Sequence, residues 1–252
     1  MAIWQDPRST TGQNAGVSAA TVGVPATRDA GLRSYMLKVY NYMASGVLLT
    51  GIVALLFANS SLINLIADPA TGKATALFWV ALFAPLGIVM WLSFGINRIS
   101  AGTAQMLFWL YAGLVGVQFS SLFLVYTGAS IAQTFFAVAA AFMGLSLFGY
   151  TTKRDLSGMG TFLIMGVVGL FIALLINLFL RSPAMDMAIS AIGVLLFAGL
   201  TAYDTQKIKS IYFQVAGHGE MMAKSAVMGA LQLYLDFINM FLFLLRFMGD
   251  RR

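Results

Sequence analysis

Seven stretches of the chain are almost wholly apolar, and short polar breaks separate them. They cover residues 37–58, 76–97, 104–126, 129–150, 160–180, 185–205 and 225–247. Each is close to the ~20 residues a helix needs to cross a ~30 Å hydrocarbon layer. The breaks carry loop chemistry: "NSSLINLIADPATGK", "NRISAGT", "YTGAS", "TTKRDLSG", "RSPAMD" and "QVAGHGEMMAKS". In lipid a spanning backbone must satisfy its own hydrogen bonds, so the stretches are expected as helices. Barrel strands would be about 10 residues long with alternating polarity, a pattern these runs do not follow. The expected fold is an all-α integral membrane protein, a seven-transmembrane helix bundle. Short links make neighbouring helices antiparallel. Residues 1–32 are polar and small, lack the apolar run of a leader peptide, and are expected as a disordered tail. Residues 33–252 form the membrane domain.

Composition agrees. Of 252 residues 60% are hydrophobic and 10% charged, against about 25% charged in soluble domains. With no cysteine there is neither a disulfide framework nor a thiolate metal site. The net charge of +6 comes from Lys and Arg in tails and loops, which marks topology and not a nucleic-acid surface. The side holding the N-terminus carries Arg8, Arg28, Arg33, Lys38, Arg98, Lys153, Arg154, Lys207, Lys209 and Lys224. The other carries Lys73, Arg181, Arg246, Arg251 and Arg252. That imbalance predicts a cytoplasmic N-terminus. Gly113 and Gly116, Gly166 and Gly169, Ser225 and Gly229, and Ala226 and Ala230 are spaced for close helix packing.

Of the nine Asp and Glu residues, two lie in apolar spans: Asp236 in the seventh and Asp204 in the last turns of the sixth. A carboxylate in hydrocarbon costs about 2.5–3.5 kcal/mol on insertion scales, so each needs compensation and is a functional candidate. Gln232, Asp236 and Asn239 form one helical stripe, which should face the protein interior or a wet cavity. If the sixth helix continues through "TQKIKSIYF", Asp204 and Asp236 reach similar depth. Two carboxylates sharing such a site cannot both ionise cheaply and titrate as a unit. Such a pair suits pH sensing, and its oxygens suit a hard cation, making a weak Ca²⁺ site at Asp204 and Asp236 possible. The plainer readings are that Asp236 is a structural acid bonded to Tyr or Asn, and that Asp204 is a solvated helix end held by Lys207. Arg98, at the end of the second span, is either a latch that pairs with Asp204 over a cavity mouth or an interfacial topology residue.

Three segments carry a wider likeness: "YMLKVYNYMASGVLLTG", "GLTAYDTQKIK" and "LYLDFINMFLFLLRFMG". Over about residues 33–249 the chain resembles the bacterial branch of the transmembrane Bax inhibitor motif (Bax inhibitor-1-like) family. The resemblance implies a seven-helix fold with the last helix central, surrounded by the other six. It implies a pH-sensitive Ca²⁺ leak in which the family's paired acids map onto Asp204 and Asp236 and its closing arginine onto Arg98. Animal members are linked with suppression of cell death, and some bacterial members with membrane proteases. The long link "QVAGHGEMMAKS" is this chain's departure from the family.

The function expected is a pH-sensitive Ca²⁺-permeable leak channel in a bacterial inner membrane, with Ca²⁺ as permeant ion, no tightly bound cofactor, and lipid, Ca²⁺ and protons as partners. The alternative is a non-conducting regulator that binds other membrane proteins, such as a membrane protease. An intramembrane aspartyl protease would also place Tyr-Asp in one span and Asp in the next. It would need Gly-x-Gly-Asp where this chain has "LYLDFIN", so no enzyme is expected. His218-x-Glu220 has metal-like spacing but is the weakest motif, with one histidine in the chain and no phosphate loop or serine triad around it.

Overall fold

A computed structural model describes residues 18–66 and 75–252. Helix α1 (Ser18–Ala58) is followed by a 3-10 turn (Ser61–Leu65), α2 (Ala76–Gly95), α3 (Ala101–Phe119) and the single turn α4 (Leu122–Val125). Then come α5 (Gly128–Thr151), α6 (Ser157–Leu180), α7 (Pro183–Val215) and α8 (Gly219–Met248). Seven of these segments are long and apolar enough to cross a membrane, α3 and α4 together making one. No strand occurs among the described residues.

Local chemistry sets the starts. Thr75, Ser100, Thr127 and Ser182 each sit in extended backbone, and their hydroxyls accept from an amide three residues on. This satisfies one of the orphan donors of a helix N-terminus. Pro183 follows Ser182 at the first position of α7, where its missing N–H costs nothing. In α6 the work falls to Asp155. Its carboxylate accepts from the Ser157 amide at 2.9 Å, and hydrogen bonds from Ser157 hold it below the usual carboxylate range.

Two boundaries move functional residues. The sixth span continues as a helix to Val215, ten residues beyond the apolar run, because "TQKIKSIYFQ" contains no breaker. The seventh starts at Gly219, six residues early. The link expected to be long is therefore three residues, Ala216–His218, and Gly217 turns it with φ +89°, a conformation that favours glycine. Both ends of "QVAGHGEMMAKS" are polar but helix-forming, so polarity does not mark the loop. Likewise α1 begins at Ser18, within the stretch expected as a tail. From Asp29 on, the first buried side chain of α1 is Leu32. The first 17 residues of the tail, with Lys73, lie outside the described residues.

Helix α8 is central. Two-thirds (67%) of its most apolar window is buried, against 11% in α6. It packs on α7, α1, α5 and α3, whereas α2 leans mainly on α3 and α6 on α7. The expected ring of six is thus four inner neighbours and two outer helices. The outer helices carry Phe94 and Phe179, each more than four-fifths exposed, an apolar surface suited to a hydrocarbon surrounding.

Close approaches hold the centre. Gly149 of α5 lies directly against the Ala202 backbone of α7. The expected packing glycines divide. Gly116 meets Thr50 and Val53, Gly166 meets Leu196, and Gly229 meets Ile208, while Gly113 and Gly169 face open space. Tyr234, fully buried on α8, shares a 2.6 Å hydrogen bond with Thr50 of α1, whose hydroxyl also lies 2.8 Å from the Ala112 carbonyl of α3. At the other end of α8 the chain folds back. Thr127 donates to the Asp250 carbonyl at 3.1 Å, Arg252 to Val125 at 2.9 Å, and Arg246 pairs with Asp186 at 3.5 Å.

Candidate functional site

The register of α7 against α8 places the two intramembrane acids. Ile208 packs on Gly229 near the α7–α8 link, and Gly193 and Phe197 pack on the Phe243 ring near the far end. Between these contacts Asp204 faces Asp236, and their carboxyl groups come within hydrogen-bonding reach of each other. Both are buried, Asp204 at 8% and Asp236 at 4% exposure. The geometry depends on the extension of α7. Asp204 lies eleven residues from Val215, so it sits ~16 Å inside the helix end instead of at it.

Two carboxylates in contact repel unless they hold a proton between them. Neither forms an ion pair among the described residues; those found join Lys224 to Glu220 and Arg246 to Asp186. Asp236 Oδ2 is buried with no hydrogen-bond partner. A positive charge acting on both acids is that of Lys207, one turn along α7, whose side chain is exposed with Nζ 6.0 Å from the Tyr203 ring centre. Among the described residues Asp236 is not bonded to a tyrosine or an asparagine. Asn239 donates back to Leu235 of its own helix at 2.8 Å, and Gln232, half-buried, makes no side-chain hydrogen bond among the described residues. The expected supporting stripe thus makes no hydrogen bond to the pair among the described residues. Arg98 lies in the α2–α3 turn, exposed and without an ion pair among the described residues, so Asp204 faces Asp236 and not Arg98. Glu220 is occupied by Lys224 at 3.1 Å, which leaves His218 without its metal-spaced neighbour. No group of three or more metal-ligating side chains occurs among the described residues.

The rest of "YDTQKIK" fixes α7 on its other sides, which polarity alone does not reveal. Thr205 donates to the Thr201 carbonyl at 2.7 Å and meets Ser146 of α5 at 2.9 Å. Ser146 in turn meets Tyr40 of α1 at 2.7 Å. Gln206 holds the α5–α6 loop with both ends of its amide. It donates to the Arg154 carbonyl and accepts from the Leu156 amide, each at 2.8 Å. Lys209 donates to the Tyr150 carbonyl at 2.8 Å, and Tyr203 closes over Gly160. The readable signal is spacing: Gln206 and Lys209 stand three apart on one helical face. Replacing Gln206 with alanine leaves the Leu156 amide unpaired. Amide hydrogen exchange at Leu156 is expected to quicken at least tenfold, with the Asp236 region unchanged.

The family model described as "Inhibitor of apoptosis-promoting Bax1" matches residues 32–252, all seven spans with both acids. The chain belongs to the Bax inhibitor-1-like family of membrane proteins. Its relatives span nearly its whole membrane domain. The inner membrane protein YbhL of Escherichia coli K12 is 47% identical over 225 residues, covering 88% of this chain and 94% of that one. The Rickettsia prowazekii protein RP147 is 51% identical over 226 residues, covering 90% and 93%. A Caulobacter vibrioides protein is 45% identical over 240 residues, covering 91% and 95%.

Proposed function

We propose that this Bax inhibitor family member is a Ca²⁺-permeable leak whose closed and open forms are selected by protonation of the Asp204–Asp236 pair. The observation that carries this reading is the apposition of two buried carboxyls on the central helix and its neighbour, with Asp236 Oδ2 unpartnered. A buried acid pair is costly in a membrane and gives a pure scaffold nothing that apolar packing would not. Its oxygens suit Ca²⁺, and a weak two-carboxylate site lets a permeant ion leave again. No catalytic chemistry is assigned to the pair.

The direction of gating follows from the two partners open to Asp204. A shared proton joins it to Asp236 and leaves Arg98 free. Loss of that proton leaves an anionic Asp204 that attracts Arg98 and closes the cytoplasmic mouth, with the N-terminus in the cytoplasm. Flux then rises as pH falls. Arg98→Ala is expected to raise flux several-fold at alkaline pH and to change it little at acidic pH. Ca²⁺ entry into vesicles containing the purified protein, followed with an enclosed indicator, checks this. Equal flux in the variant and the parent at alkaline pH would remove Arg98 from the mechanism.

The runner-up is a non-conducting regulator of another membrane protein, favoured by the exposed apolar faces of α2 and α6. It predicts no flux from the pure protein at any pH and stable co-purification with a membrane partner.

A further inference from the structure

A long apolar groove opens between α1 and α5, with α8 beneath it. Its first part, about 650 Å³, runs from Arg33 to Leu48 along α1, with Met143 and Leu147 on the α5 wall and Phe237 as floor. A second part, about 280 Å³, continues from Val47 to Leu55 over Phe237, Ile238 and Phe241. The two share Val47, Phe135 and Phe237.

We propose that this groove binds the acyl chain of a glycerophospholipid whose phosphate is held by Arg33. The rim residues Leu37, Leu48, Met143 and Leu147 are exposed, and they lie in spanning helices where the surrounding medium is hydrocarbon. Arg33 to Leu48 is fifteen residues, or ~22 Å of helix. That is more than the ~15 Å depth of one leaflet, so a chain entering at the arginine end can lie in it fully. The walls are too close for a protein helix. Tyr40 of α1 reaches Ser146 of α5 at 2.7 Å, a separation one tyrosine spans, whereas a helix with its side chains is about 10–12 Å across. Charge selects the headgroup. Arg33 lines the mouth, exposed and without an ion pair among the described residues. A second cation, Lys209, lies 5.1 Å from the ring centre of Tyr150, which also lines the groove. A guanidinium at an interface suits a phosphate. The bound chain lies on Phe237 of the central helix. The proposal is independent of whether the protein conducts Ca²⁺.

The test uses the full chain in vesicles of phosphatidylethanolamine and phosphatidylglycerol. A trace of phosphatidylglycerol carries a photoactivatable diazirine on its acyl chain. Adducts are mapped by mass spectrometry. The expected result is labelling of Leu48, Met143 and Leu147 several-fold denser than that of Phe162, Met165 and Leu178 on α6, which are at least as open to bulk lipid. Arg33→Gln, a change at an exposed site, is expected to lower the groove labelling several-fold and leave α6 unchanged. Equal labelling of the two faces, or groove labelling that Arg33→Gln does not move, overturns the proposal.

Discussion

Asp236→Asn is expected to flatten the pH dependence of Ca²⁺ flux while leaving the fold intact. Asparagine has the same shape and can still hydrogen-bond Asp204, so packing around α8 is kept. What disappears is the second ionisable group. The pair titrates as one unit only while two carboxyls compete for one proton. With one removed, Asp204 has no like charge to expel and no proton to share. Flux that rises severalfold as pH falls in the parent becomes nearly level in the variant. Asp204→Asn should flatten it too, because each carboxyl supplies half of the same switch. The ion oxygens also drop from four to three, so the level reached should lie below the parent's maximum. Retained pH dependence in both variants would place the sensor elsewhere.

Gly149→Leu is expected to cause the largest loss of stability. A side chain at this position runs into the Ala202 carbonyl, and a carbonyl in a helix cannot rotate away. Either α5 or α7 must move. Overpacking costs about 1–3 kcal/mol where side chains can yield, and here the obstacle is backbone, so the upper end applies. The movement would also pull apart the Ser146–Thr205 bond and shift Asp204, two residues beyond Ala202. A clearly lower unfolding temperature in detergent is expected. Gly144→Leu, on the same helix with nothing within 4 Å, is the control and should unfold near the parent. Equal stability of the two variants would contradict the close α5–α7 approach.

The number and kind of spans were legible because every one carries an apolar run of membrane length. Their ends were less so. In "TQKIKSIYF" and in "GEMMAKS" polar residues continue a helix that hydropathy reads as finished, because helix propensity, not polarity, decides whether the backbone turns. Only Gly217 breaks the chain there. The acid pair was legible for a reason of cost: a carboxylate in an oily segment has to be compensated, and two on sequential helices can compensate each other. Arg98 was ambiguous because an arginine at a membrane interface is useful to topology whatever else it does, and its position in an exposed turn keeps both roles open to experiment. Gln206 and Thr205 were not singled out because their partners are backbone and hydroxyl groups of other segments, and the spacing of Gln206 and Lys209 shows a shared face but not what that face meets. Gly149 was not singled out either, although Ser146 stands three residues before it, while Gly113 and Gly169 had the same spacing and met nothing, so spacing alone does not say which small residues meet a neighbour.

The most direct measurement is Ca²⁺ entry into sealed liposomes that contain only the purified wild-type protein, compared with protein-free liposomes over a range from acidic to alkaline pH. The gated leak predicts entry above the protein-free rate that grows as pH falls. Entry no faster than in protein-free liposomes at every pH would contradict it.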